Sequence, residues 1–234
     1  MNEYIRTTLE SKKNFIFLGE AGCGKTEIAV NFAIAAAEIA GGGGAGGRTV
    51  HFFDMDQTKP LFRSRDVREA LEEKGVIFHY EEQFEDARTL VGGPGYHLAD
   101  PESIVIMDIG GDHQGSRMIG GFAPLLKRED TKNYFVINPY RPWSQDIEEI
   151  DRTMSSVLGT ARLGAEDISV IANPNMGPTT TEKEIAEGLE AAIGMVDEYI
   201  RVECVCAERE KAARLEAGIP VMPLDLFMKY EWTE

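Results

Sequence analysis

Apolar runs of strand length alternate with helical patterns along the whole chain. Strands are expected at Asn14–Leu18, Thr49–Phe53, Val76–Tyr80, Ser103–Met107, Asn133–Ile137, Ile168–Ala172 and Ile200–Cys206. Helices are expected between them, at Gly24–Ala40, Leu61–Lys74, Arg117–Lys127, Gln145–Leu158, Thr181–Val196 and Glu208–Ala217, with a short added helix near Asn2–Ser11. Several strands are apolar without alternation, as in Phe15-Ile-Phe-Leu18 and Ile104-Val-Ile-Met107. Strands buried on both faces read this way, which predicts an α/β fold: a doubly wound, mostly parallel sheet flanked by helices. The stretch Gly41–Gly47 is nearly all glycine and reads as a surface connection, because it has no side chains to pack.

The chain has 234 residues, which suits one domain spanning 1–234, and neither a repeat nor an interdomain linker is evident. Three cysteines cannot make a disulfide framework. Neither a signal-peptide pattern nor an apolar run of membrane-spanning length is evident, so the cytoplasm is the expected location. A formal net charge of −16 repels phosphate backbones and anionic membranes, so neither a nucleic acid nor a membrane is expected as a partner.

The strongest chemical signal is Gly19-Glu20-Ala21-Gly22-Cys23-Gly24-Lys25-Thr26, which fits G-x-x-x-x-G-K-[ST]. Glycines let backbone N–H groups approach phosphate oxygens, and the N-terminus of the following helix faces the same anion. Lys25 is expected on the β- and γ-phosphates and the Thr26 hydroxyl on Mg2+. An apolar strand before the loop and an Ala-rich helix after it give the required context. Such a site also needs carboxylates at strand ends on the loop side of the sheet. Asp54-Met-Asp56 follows the second strand, and Asp108-Ile-Gly-Gly111 follows the fourth.

The order of phosphate loop, Asp-x-Asp and Asp-x-x-Gly resembles the MinD/ParA/CobQ group of P-loop ATPases, in the SIMIBI class. That resemblance implies an ATP- and Mg2+-dependent switch with slow hydrolysis, read by a protein partner and compatible with a homodimer. It implies that Asp54 helps hold Mg2+ through water, that Asp56 polarises the hydrolytic water, and that Asp108, with Gly111, senses the γ-phosphate and the metal. The chain departs from the family at one position. The family's loop carries a lysine that reaches a dimer partner's phosphates, and here that position is Glu20. A carboxylate is repelled by phosphate, so dimer-assisted hydrolysis would need another cation, for which Arg63, Arg65 and Arg117 are the candidates.

For the base, Asn173 follows the sixth strand, and in related enzymes an asparagine there meets the base. Met176 stands where a guanine reader would carry an aspartate, which favours adenine. Ile219–Asp225, with Pro223, resembles the family's other base-side loop. Two alternatives stay open. Asn138-Pro-Tyr-Arg-Pro-Trp143 offers Tyr140, Arg141 and Trp143 to an acidic substrate, as in phosphoryl-transferring enzymes such as dethiobiotin synthetase, or equally to a protein partner, or is a structural turn held by its two prolines. Cys204 and Cys206 share a strand face and would serve a metalloenzyme maturation factor. The four histidines, His51, His79, His97 and His113, have no metal-ligand spacing, and a role for Gln114 in orienting water rests on position alone.

Overall fold

The computed structural model describes residues 3–41, 47–56, 61–79, 93–111 and 113–228, and for 61–66 and 113–115 the backbone alone. Among the described residues, one sheet of eight strands runs in the order β3-β2-β4-β1-β5-β6-β7-β8. Its strands are β1 (Asn14–Leu18), β2 (Thr49–Met55), β3 (Ile77–His79), β4 (Ser103–Ile109), β5 (Thr131–Ile137), β6 (Ile168–Ala172), β7 (Val202–Glu208) and β8 (Val221–Leu224). Every pairing is parallel.

The helices are α1 (Glu3–Ser11), α2 (Lys25–Gly41), α3 (Leu61–Glu72), α4 (Pro94–Ala99), α5 (His113–Ile119), α6 (Ala123–Leu126), α7 (Ile147–Ala161), α8 (Glu182–Val196) and α9 (Arg209–Ala212). They divide between the two faces of the sheet. In β1, Phe15 and Phe17 join the core built with α1 and α2, while Ile16 and Leu18 join the core built with α7 and α8. Alternation along a strand therefore serves two apolar layers at once, which is why β1 reads as continuously apolar. This is a doubly wound α/β architecture.

Several boundaries differ from the sequence expectation, each for a local reason. β2 and β4 run on to Met55 and Ile109, so Asp54 and Asp108 lie inside strands rather than after them. The helix expected at Arg117–Lys127 is broken into α5, a 3-10 turn at Gly120–Phe122, and α6. Gly120 backs closely onto the Thr160 carbonyl, where a Cβ would lie 2.9 Å from the oxygen, and Pro124 cannot continue a preceding helix. The helix expected at Glu208–Ala217 shrinks to α9.

β8 was expected as a loop; it pairs with β7 at the sheet edge, burying Met222 and Leu224. Proline is tolerated there because an edge strand has one unpaired side. The α8 start agrees with its chemistry, since Thr181 caps the helix and Glu184 reaches back in a capping box. Residues 42–46 of the glycine stretch and Tyr80 lie outside the described residues.

Candidate nucleotide-binding site

β1 lies between β4 and β5, so the loop that leaves its carboxyl end emerges mid-sheet, where ligands of doubly wound folds bind. Gly19, Gly22 and Gly24 have φ of +135°, +75° and +97°, values that favour glycine. Two of them are also held closely. A Cβ at Gly19 would lie 2.6 Å from the Val136 carbonyl oxygen, and one at Gly24 would lie 2.2 Å from Asn173 Nδ2. Lys25 opens α2, is buried, and donates from Nζ to the Glu20 carbonyl at 2.8 Å. The lysine thus arches back over its own loop, where the phosphates of a nucleotide would lie. Glu20 Oε2 accepts from the Ala21 N–H at 3.3 Å, so this carboxylate folds onto the loop backbone. Cys23 is buried, and burial pushes its thiol pKa up, which leaves it inert.

The acidic side assembles from two neighbouring strands. Asp54 and Asp108 are register partners in the β2–β4 ladder, and both are buried. Thr26 Oγ1 donates to Asp108 Oδ2 at 2.7 Å, and the Asp56 N–H donates to Asp54 Oδ1 at 3.1 Å. The Thr26 hydroxyl and the carboxylates are hard oxygen donors of the kind Mg2+ takes, so the residues suit that ion. Gly111 presses on the loop: a Cβ there would lie 2.4 Å from Ala21 N. The segment after β4 is therefore in direct contact with the phosphate loop.

On the other side, Asn173 Nδ2 donates to the Cys23 carbonyl at 2.8 Å. Arg141 Nε donates to the Gly22 carbonyl at 3.1 Å, which places a guanidinium on the loop. Sequence reading offered Arg141 to an acidic substrate, a partner or a structural turn and missed its contact with the loop, because Gly22 and Arg141 are 119 positions apart. Tyr140 is a packing residue: its hydroxyl donates to the Glu184 carbonyl, and its ring lies against Gly188. Arg117 is exposed, and the side chains of Arg63, Arg65, His113 and Gln114 lie outside the described residues.

A cleft of about 260 Å³ continues from Gly22 and Gly24 past Asn173, Glu208, Leu226 and Met228. Residues 225–228 are held against α2. Asn31 exchanges two hydrogen bonds of 2.8 Å with the Asp225 backbone, and Glu27 accepts from the Phe227 and Met228 N–H groups. Pro223 is not on this cleft; it lines a groove with Tyr4 and Arg209. Met176 is exposed, and its N–H donates to Thr180 Oγ1 at 2.9 Å.

Cys204 and Cys206 are both buried in the apolar core, and burial pushes the Cys206 thiol well up. The histidines differ from the sequence expectation. His51, His79 and His97, unremarkable in spacing, are brought together by the fold at the β2–β3 edge of the sheet.

No protein family matches the sequence, and no curated protein does. Solved structures similar to this chain include two of low identity. The signal recognition particle 54 kDa protein from Aeropyrum pernix K1, in complex with GDP, is 21% identical, with 81% of this chain and 41% of that one covered and a TM-score of 0.43. The signal recognition particle receptor FtsY from Elizabethkingia anophelis is 13% identical, with 86% and 61% covered and a TM-score of 0.42. The chain spans less than two thirds of the length of either.

Proposed function

We propose that this chain binds ATP with Mg2+ and works as a slow ATPase switch whose nucleotide state is read by a partner protein. The observation that carries this reading is the 2.7 Å contact between Thr26 and Asp108, set directly beside a glycine loop that folds Lys25 over itself. Backbone N–H groups of the loop and the Lys25 ammonium would hold the β- and γ-phosphates. Thr26, Asp54 and Asp108 would hold the ion, whose chemistry is to neutralise charge on the phosphate oxygens. Asp56 would orient a water. Gly111 lies against Ala21, so a change in the loop on hydrolysis would be passed to the segment after β4, as in switches ordered by a γ-phosphate.

Arg141 takes over as the candidate for the missing cation, because its guanidinium is already on the loop in the same chain. Adenine is the base favoured by Met176, which has no carboxylate to offer a guanine edge. One observation favours guanine instead: the Glu208 carboxylate lines the cleft, although it is paired with Lys211 Nζ at 2.6 Å. Calorimetry with ATP and GTP, and phosphate release with each, decides between them. Lys25→Ala should abolish binding of the favoured nucleotide; equal affinity in both proteins would sink the proposal.

A further inference from the structure

We propose that His51, His79 and His97 form a binding site for a divalent first-row transition metal, with Zn2+ as the best-fitting ion. The three residues come from three elements, β2, β3 and α4, and their candidate ligand atoms all lie within 4.8 Å of one another. A tetrahedral site with metal–nitrogen bonds of about 2.0–2.1 Å needs nitrogens about 3.3–3.4 Å apart. Closing the trio onto an ion therefore takes less than about 1 Å of travel per ring at that bond length. Part of it is already closer: His51 Nδ1 and His79 Nε2 are 2.9 Å apart, sharing one proton. An ion between them displaces that proton, which moves to the outward nitrogen of the ring that donated it, so both rings stay neutral and each carries its N–H on the nitrogen turned away.

The surroundings suit a ligating imidazole, which must be neutral. His51 is buried; burial first, then the neighbouring His97 and His79, push its pKa down to about 4. Burial also lowers the pKa of His97.

An outer layer orients the rings. Ser103 Oγ donates to Asp100 Oδ2 at 2.7 Å and accepts from His97 Nδ1 at 3.4 Å, which leaves His97 Nε2 as the ligating atom. The Asp100 carboxylate thus backs His97 through the Ser103 hydroxyl, an outer layer of the kind that orients metal-binding histidines. Phe53 stacks on His79 with ring centroids 4.3 Å apart and planes 7° from parallel. Three imidazoles and no carboxylate in the trio select a nitrogen-seeking ion over Mg2+. The site is separate from the phosphate loop, since His51 precedes Asp54 by three residues, about 10 Å along β2. The competing explanation is a metal-free stack of hydrogen-bonded neutral rings.

The test is a Co2+ titration of the full chain in excess Mg2+, followed by visible absorption and by proton NMR. The site predicts one Co2+ per chain, tetrahedral d–d bands without a thiolate charge-transfer band, paramagnetically shifted imidazole N–H signals, and full displacement by one equivalent of Zn2+. His79→Ala and His97→Ala should each remove the bands while leaving Mg-nucleotide affinity unchanged. Asp100→Asn should weaken Co2+ binding by about 10- to 100-fold. The double change Cys204→Ser/Cys206→Ser should leave it intact. The NMR signals come from wild-type protein, so they hold even if a histidine variant fails to fold. Absence of stoichiometric binding in wild type, or bands that survive His79→Ala, would overturn the site.

Discussion

Asn173 Nδ2 donates to the carbonyl oxygen of Cys23 across 2.8 Å, tying the end of β6 to the middle of the phosphate loop. The same amide lies where a Cβ on Gly24 would fall. An asparagine expected to meet the base is therefore already committed to shaping the loop. Asn173→Ala should lower affinity for ATP and GTP by the same factor, about 10-fold, since an orphaned buried carbonyl costs about 1–3 kcal/mol. Calorimetry with both nucleotides checks this; a changed ratio between them would make Asn173 a base reader.

Asp108 accepts from the Thr26 hydroxyl, and under the proposed function both would hold the ion rather than the phosphates. Asp108→Asn should cost about 10- to 100-fold in affinity with Mg2+ present, the range for losing a charged hydrogen-bond partner. Affinity in EDTA should hardly move. Parallel titrations with and without the ion measure the difference.

The glycines of the loop are unequal. Gly24→Ala meets both a φ of +97° and a Cβ 2.2 Å from Asn173 Nδ2, whereas Gly22→Ala meets a φ of +75° and open space. Strain of about 1–3 kcal/mol is expected at Gly24. For a chain of this size each kcal/mol moves the melting temperature by about 2–4 °C. Thermal unfolding should rank Gly24→Ala clearly below Gly22→Ala, with nucleotide affinity following the same order.

Glu203 sets a pH dependence away from the site. Burial raises its carboxyl pKa, but hydrogen bonding and charge from Lys132, and hydrogen bonds from Ser169 at 2.9 Å and Tyr4 at 3.0 Å, outweigh burial, and the net shift is downward. A carboxyl with a folded-state pKa below its unfolded one stabilises the protein above the unfolded value. That contribution is lost as pH falls through the folded value. Glu203→Gln should therefore melt at a lower temperature at pH 7 and close the gap to wild type as the buffer is acidified. A constant gap would contradict the assignment.

Much of this layout was legible because it is local. β1 and β6 were bounded to the residue, since their apolar runs end at a glycine and at Asn173-Pro174. The loop was legible for the same reason: its spacing carries its mechanism. What escaped was non-local. β8 has two prolines nearby and is a strand only because β7 offers it an edge. Arg141 reaches Gly22 only after β5 is laid beside β1. The three histidines sit in separate elements, so no spacing rule finds them. Pro223 was placed by analogy with a family loop, and edge pairing turned it toward Tyr4 and Arg209 instead.

Residues 225–228 are fastened by Asn31 and Glu27 to the helix that begins at Lys25. The outer wall of the cleft is thus a strip of chain that belongs to neither the sheet nor the phosphate loop. From that strip Leu226 and Met228 line the cleft, away from the phosphate loop and the aspartates. Under the proposed function, which molecule fits and what happens to its phosphates would be governed by separate residues, so that one could be altered while the other stays as it is.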